Sequence, residues 1–384
     1  MKLLLVSNLF PDQAEPWRGL DNATVLHAIR EVDPSVDIRV IAMRPVLGVP
    51  GRRLSLHARA QDEVFQPAYH ASAYLPRAGG WNHRWFALSM ARAERDLAAQ
   101  GFRPDAILAP WLFPDACGVL LRRRAVPVVA VAQGSDVHRY LDMPMRRKAI
   151  LSMTSSARKV VTRSEDLRRR LLHHKAEPDK VVTIYNGVDH HTFKPADRGA
   201  AREALQVPAD EAVVLFVGNF LPVKGLDLLL ESFAGFHRAC GRPARLVLIG
   251  GGPLEPMLRQ QATALGLDGI VIFAGRQPPD AVARWMQAAD LVSLTSHNEG
   301  VPNVVLEACS SGRPIVCTQV GGIAEVLAPL ECGRFVVAGR DPGAVTGAML
   351  DAFRDPPDPQ ALHEQTRSRY AWSRCATEYL RLLR

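Results

Sequence analysis

Residues 291–307 read LVSLTSHNEGVPNVVLE. Leu291–Leu294 is a short, wholly apolar-leaning run of the kind buried inside a parallel sheet. The turn Glu299-Gly300-Val301-Pro302-Asn303 follows, and Val304-Val305-Leu306 opens a helix. Proline is favoured in a first helical turn because its missing N–H would find no intrahelical partner there. Strand, turn and helix in this order form the repeating unit of an α/β sheet. The start of such a helix aims backbone N–H groups and the positive end of its dipole at one point, which suits an anion such as phosphate. Glu299 precedes the helix and Glu307 lies within it, so the two carboxylates are placed to touch different parts of one ligand. The bland alternative, two solvated charges flanking a helix, is weakened by further anion-site signals at matching places along the chain.

Working outward, the same unit recurs. Lys2–Ser7, Asp37–Met43, Ala106–Ala109, Pro127–Ala132, Lys159–Thr162 and Val181–Tyr185 read as buried strands. Helical stretches at Asn22–Glu31, Trp85–Gln100, Ala116–Arg124 and Ser164–His173 lie between them. A second series of strands follows at Ala212–Val217, Ala244–Ile249, Ile270–Phe273, Leu291–Leu294, Pro314–Cys317 and Gly333–Val336. Two such series predict two Rossmann-like domains in tandem, over 1–190 and 191–368. A final helix is expected over about 369–384, anchored by Tyr370, Trp372, Tyr379, Leu380 and Leu383. Met1–Phe10 reads as a first strand rather than a signal peptide, and no run approaches the roughly twenty apolar residues that span a bilayer.

Open α/β sheets bind ligands outside the carboxyl ends of their strands, and the motifs fall there. Gly218-Asn219 through Lys224-Gly225 follows one strand, where Lys224 is placed to reach a diphosphate; taken alone it reads rather as a surface lysine before an ordinary helix. Gly250-Gly251-Gly252-Pro253 follows the next, as a close approach to a ligand or as a tight turn. Gly275-Arg276 follows a third and is a weak candidate for a nucleobase pocket. In the first half, Gly19 ends a long loop after the first strand, as a second anion contact or a plain loop glycine. Gln133-Gly134-Ser135-Asp136-Val137-His138 follows a buried strand and brings Asp136 and His138 to the edge of the cleft, with a helix N-cap at Ser135 or Asp136 as the structural alternative. Tyr185-Asn186-Gly187-Val188-Asp189 reads as a hinge with positive φ. There is no G-x-S-x-G, H-E-x-x-H or Walker sequence, and the first strand lacks a following G-x-G-x-x-G.

Charge is lopsided. Residues 1–190 carry 28 lysines and arginines against 19 acids, and residues 191–384 carry 19 against 20. A basic first half points to an anionic partner. Its arginines are dispersed without an aromatic stacking ladder, which favours a membrane surface or phosphorylated acceptor over nucleic acid. Gly79-Gly80-Trp81-Asn82-His83-Arg84-Trp85-Phe86 mixes aromatics with cations and suits an interfacial segment. The alternative is that Trp85, Phe86 and Met90 face a core. Cys117, Cys240, Cys309, Cys317, Cys332 and Cys375 form no C-x-x-C pair and read as reduced thiols of a cytoplasmic protein.

Taken together, Gln133-Gly134-Ser135-Asp136, Asn186-Gly187-Val188-Asp189, Gly218 with Lys224-Gly225, Gly250-Gly251-Gly252-Pro253 and Glu299-x7-Glu307 resemble the ordered motif set of retaining glycosyltransferase family 4 over almost the whole chain. The resemblance implies the GT-B fold: two Rossmann-like domains facing a cleft, with the last helix crossing back to the first. It implies a nucleotide-sugar donor, UDP- or GDP-linked, on the second domain, a glycan or lipid-linked acceptor on the first, and no metal or other cofactor. By the same likeness Lys224 neutralises the donor diphosphate, Glu307 accepts hydrogen bonds from the ribose, and Glu299 contacts the donor sugar. Amides around Val301, Pro302, Asn303, Val304 and Val305 stabilise the sugar and phosphate side, and Gly19 faces the diphosphate. Gly218, Asn219, Gly251 and Arg276 complete the expected donor set; Asp136 and His138 join Glu299 and Lys224 as expected catalytic groups. Two departures stand out. Asn219 replaces a frequent arginine, and Gln133 replaces a frequent histidine. An epimerase on the same fold and a non-catalytic nucleotide-sugar binding module are the rival readings.

Overall fold

The computed structural model describes residues 1–47, 64–75, 79–122, 125–331 and 333–384. Cys332 and the last two residues of the expected helix 116–124 lie outside them. The described chain forms two compact units, Met1–Tyr185 with Trp372–Arg384, and Asn186–Ala371.

In the first unit the strands are β1 (Lys2–Ser7), β2 (Asp37–Leu47), β3 (Ala68–Tyr74), β4 (Ala106–Pro110), β5 (Val128–Ala132), β6 (Lys159–Thr162) and β7 (Val181–Thr183). They pair in parallel in the order β3-β2-β1-β4-β5-β6-β7. Side chains alternate across the sheet. Leu4 and Val6 of β1 join Phe86, Met90, Phe113 and Leu167 in one core, while Leu3 and Leu5 join Val25, Leu26 and Ile29 in the other.

The expected terminal helix is Trp372–Leu383, and a separate helix, Pro359–Arg369, precedes it across a break at Tyr370–Ala371. The break has a cause. Tyr370 is pinned by its hydroxyl, which donates to Val326 C=O at 2.8 Å, and its own carbonyl accepts from Val188 N–H at 2.8 Å. Beyond it the chain leaves the second unit, and Tyr379, Leu380 and Leu383 are buried in the first, against the Leu20–Val32 helix. Burial of each such side chain is worth about 1.5–3 kcal/mol.

The second unit has strands β8 (Ala212–Asn219), β9 (Ala244–Gly251), β10 (Val271–Gly275), β11 (Leu291–Leu294), β12 (Ile315–Thr318) and β13 (Arg334–Val337). They too are parallel, in the order β10-β9-β8-β11-β12-β13. In each sheet the order reverses beside its first strand, between β1 and β4 and between β8 and β11. Crevices for ligands open at such switch points, at the carboxyl ends of the strands. No helix among the described residues is long and apolar enough to cross a membrane. Cys117, Cys240 and Cys317 are free thiols.

Candidate functional site

At the switch point of the second unit, two loops interlock. The loop after β8 passes through the 3-10 turn Pro222–Lys224 to Gly225, which starts the Leu226–Ala239 helix at φ +59°. The loop after β11 runs from Thr295 to Pro302 and enters the Asn303–Ser310 helix. Thr295 Oγ1 donates to Gly225 C=O at 2.7 Å, and His297 N–H donates to Val223 C=O at 2.8 Å. A Cβ at Gly225 would lie 2.2 Å from Thr295 O, so only glycine lets the loops approach this closely. Thr318 Oγ1 holds Ser296 C=O from the β12 side, and Gly322 N–H holds Gly300 C=O. At Gly321 a Cβ would sit 1.7 Å from Glu299 O. The Glu299 backbone is thus clamped from two neighbouring strand ends.

This clamp sets the central contact. Lys224 Nζ donates to Glu299 Oε1 at 2.6 Å, and Ser296 Oγ donates to the same oxygen at 2.7 Å. Both charged side chains are mostly shielded, with 19% and 12% of their surface exposed. Pro302 is the residue just before the helix, at ψ 128°. Of the amides expected to face an anion, that of Val305 is already donated to Pro302 C=O at 3.0 Å. The amides at the helix mouth are those of Asn303 and Val304, while Val301 and Val304 are themselves buried. Glu307 stands one turn beyond Asn303 on the same helical face, half-buried.

The triple glycine divides by role. Gly250 and Gly252 are required by packing: a Cβ would fall 1.8 Å from Gly218 O and 2.5 Å from Phe220 O. Gly251 is the open one, with Arg276 Nε, 3.9 Å from its Cβ position, the nearest atom. Gly218 lies beside the Lys224 stem, and Asn219 is exposed at the strand end. Arg340 donates to Thr295 C=O at 2.7 Å beside Gly225. Asn186 Nδ2 donates to Asn303 Oδ1 at 2.8 Å. Neither Asn186 nor Gly187 has the positive φ expected of a hinge; Asn186 is a buried strut to the Asn303–Ser310 helix.

The first unit has its own switch-point network. Asp115 is fully buried and accepts from Ser7 Oγ, Asn8 N–H and Asn8 Nδ2 across the β1–β4 seam. Burial, with nearby Asp136 adding to it, pushes its carboxyl up to about 7 despite those donors. Gly19 sits at φ +65°, and a Cβ there would strike the Leu9 carbonyl at 2.4 Å. Packing therefore explains this glycine.

Asp136 requires correction. It does not reach a cleft edge as a free polar group and is no helix cap. It is fully buried, and its carboxylate accepts from the amides of Leu112, Gln133 and Gly134. That makes it the tie between the loops after β4 and β5. His138 is almost covered, 3.7 Å from Asp166, and burial lowers its pKa. Gln133 donates to Asn22 Oδ1 at 2.9 Å.

A pocket in this unit escaped the sequence reading. A cavity of about 140 Å³ opens at the strand ends among Asn8, Ser72, Tyr74, Asn82, Trp111 and Tyr140. Asn82 is buried, and its Nδ2 has no partner among the described residues. Trp111 holds φ 131°, a region L-residues seldom occupy. Pockets of aromatic walls with a few aimed polar groups suit small polar molecules. The one sequence signal was Trp111 directly after a buried strand. Phe86 and Met90 are core residues, whereas Trp81, Trp85 and Leu88 are exposed.

Residues 38–192 match the family described as Glycosyltransferase Family 4, and residues 197–369 match Glycosyl transferases group 1. A D-inositol 3-phosphate glycosyltransferase of Acidothermus cellulolyticus is 32% identical over 62% of this chain and 57% of its own. The chain spans about half the length of such relatives, 49% for another of them. The putative teichuronic acid biosynthesis glycosyltransferase TuaC of Bacillus subtilis is 27% identical over 85% of this chain and 83% of its own. Among solved structures, Anabaena HepE in complex with UDP superposes with a TM-score of 0.73 at 20% identity, covering 100% of this chain and 99% of HepE.

Proposed function

Because the chain belongs to the family 4 type of glycosyltransferases and has their GT-B fold, we propose that it transfers a sugar, with retention of anomeric configuration, from a nucleotide-sugar donor to a glycan or lipid-linked acceptor. The observation that carries this reading is the Lys224–Glu299 pair at the mouth of the Asn303–Ser310 helix. A lysine and a helix tip at a switch point form an anion site, and a carboxylate beside them suits the hydroxyls of the attached sugar. In this reading Lys224, with the Asn303 and Val304 amides, stabilises the diphosphate as it departs. Glu299 orients the donor sugar, Glu307 takes the ribose hydroxyls, and Gly251 and Arg276 border the nucleobase. HepE binds UDP, which favours a uridine diphosphate sugar.

The anomeric C–O bond to phosphate breaks as the acceptor oxygen bonds the same carbon from the same face. The leaving phosphate oxygen takes the acceptor's proton. Charge compensation by Lys224 and amides makes the step independent of added metal. Asp136 is left out of the chemistry, since its carboxylate is consumed by three amides.

On the first unit, the pocket at Asn82, Trp111 and Tyr140 is the acceptor candidate. Trp81, Trp85 and Leu88 stand exposed beside it in sequence, with Arg84 stacked 4.3 Å from the Trp81 ring. Cations carried beside exposed aromatics favour an anionic membrane surface at the inner face.

The test has two stages. A thermal-shift screen against nucleoside diphosphates and their sugars should pick one base, because a ligand that binds only the folded state raises its melting point. The matched nucleotide sugar should then release nucleoside diphosphate only when acceptor is present. Release or epimerisation without acceptor would mark an epimerase, and binding without turnover would mark a binding module; either result refutes the proposal.

A further inference from the structure

At the opposite end of the second sheet, where the strands begin, arginines gather around a single carboxylate. Asp290, just before β11, accepts from Arg198 at 2.5 Å, from Arg202 at 2.9 Å and from Val213 N–H at 2.7 Å. Arg242 stands 3.7 Å away. Asp290 is thereby saturated. Arg202 is tied in further: its Nε donates to Ala288 C=O and its Nη1 is shared among the carbonyls of Pro208, Ala209 and Glu211. Its role is to fasten the Arg198–Ala204 helix to the sheet.

Two other guanidiniums, Arg313 and Arg242, are not fully satisfied among the described residues. Arg313 is 7% exposed and gives one N–H to Gln287 C=O, yet its buried Nε has no partner among the described residues. Arg242 Nε is likewise buried and unpartnered among the described residues, and its guanidinium stacks 4.4 Å from the Phe353 ring. Burial and the neighbouring Arg198 push the Arg313 pKa down to about 10. Arg198, Arg242, Arg313 and Arg354 all line one cavity of about 610 Å³, whose further walls include Phe353 and Pro357. Asp290 is the single acid on that lining among the described residues. Unsatisfied buried guanidiniums are costly, and their planar forks match phosphate oxygens two at a time.

We propose that this cavity is a second anion site, distinct from the Lys224 loop, which binds a small phosphate-bearing molecule whose body rests on the Phe353 and proline wall. The volume lies in the range of small-molecule sites and exceeds what a bare phosphate fills. The site lies at the amino ends of β11 and β12, whereas Lys224 and Glu299 lie at the carboxyl ends. The four-residue strand β11 separates the two by about 13 Å.

The probe is inorganic pyrophosphate, titrated calorimetrically and by thermal shift into the whole chain. Since the Lys224 loop is itself a diphosphate candidate, Lys224→Ala is measured beside Arg242→Gln and Arg354→Glu; Arg354 is exposed, so its reversal leaves folding intact. The expected result is binding that persists in Lys224→Ala and weakens at least tenfold in Arg242→Gln and in Arg354→Glu. Three results overturn it: no pyrophosphate binding in the unmodified chain, binding lost in Lys224→Ala but unchanged in both arginine variants, or an equal thermal shift with sodium sulfate at matched ionic strength. Loss in Lys224→Ala alone would leave the proposed donor site standing while removing this one.

Discussion

The Lys224–Glu299 contact makes a prediction in which binding and turnover move in opposite directions. Lys224 Nζ lies 2.6 Å from Glu299 Oε1. A phosphate oxygen accepting from the far side of the ammonium would sit about 2.8 Å from Nζ, and so at most roughly 5.4 Å from the carboxylate. At an effective dielectric of about 20, two unit negative charges at that distance repel by about 3 kcal/mol. Residual exposure of both side chains screens part of this, and half of it, about 1.5 kcal/mol, is a tenfold change in affinity. Glu299→Gln should therefore bind the bare nucleoside diphosphate about tenfold more tightly. Turnover should fall about a hundredfold in the same variant, the scale of losing one charged hydrogen bond that strengthens in the transition state, ~3 kcal/mol. Lys224→Ala should weaken nucleoside diphosphate binding by about 10- to 150-fold, the span of ~1.5–3 kcal/mol for a charge-assisted bond. Isothermal titration with the diphosphate that the thermal screen selects, beside initial-rate kinetics, reads both quantities. Unchanged or weaker diphosphate binding in Glu299→Gln would refute the shared-lysine geometry. Near-normal turnover would refute the role given to the carboxylate, and unchanged affinity in Lys224→Ala would remove the lysine from the site.

Gly321→Ala puts a methyl group 1.7 Å from Glu299 O at φ +52°. It should cost about 3 kcal/mol, seen as a drop of roughly 6–12 °C in the melting of the second unit; a melting point within 2 °C, on the order of measurement scatter, would show that the clamp yields easily. His190 donates toward Ser310 Oγ at 2.8 Å, and burial beside His363 lowers its pKa to about 4. Its folded pKa lies below its unfolded value, so acidification from about 6.5 toward 4 protonates the unfolded chain first and destabilises the fold. Urea midpoints across that window should fall less steeply in His190→Gln than in the parent; equal slopes would assign the effect elsewhere. Trp85→Ala with Arg84→Ala should reduce sedimentation with vesicles containing anionic lipid and leave nucleoside diphosphate binding unchanged. Indifference of the parent to lipid charge and salt would end the membrane assignment. Turnover should survive prior treatment with EDTA, and its loss and recovery with a divalent cation would contradict charge compensation by Lys224.

The legible part of this chain was the part whose physics is local. Fully buried parallel strands such as β1, β4, β5 and β11 announce themselves as apolar runs because both faces are covered. β3 does not. At the edge of its sheet, AYHASAY is half-exposed and alternates small with polar residues, so nothing in it exceeds the noise of a loop. Glycines were equally ambiguous in sequence, and only coordinates separate Gly250 and Gly252, fixed by backbone collisions, from Gly251, which stays open. Asp136 shows the limit most sharply. An acidic residue after a buried strand reads the same whether its carboxylate faces a ligand or caps three amides of neighbouring loops, because the deciding partner, Leu112, lies 24 positions away. The arginine cavity was invisible for the same reason. Arg198 opens one helix, Arg354 closes another, and Arg242 and Arg313 lie in two connections; none of them is unusual alone, and only the fold brings them to one wall. Lys224 and Glu299 are 75 residues apart, and although their ion pair is not legible in sequence, their shared sheet edge is, because both follow strands and the sheet delivers such loops to one edge. Topology makes carboxyl-end motifs predictable as a set, while it leaves the amino-end contacts of the same strands to be found in three dimensions.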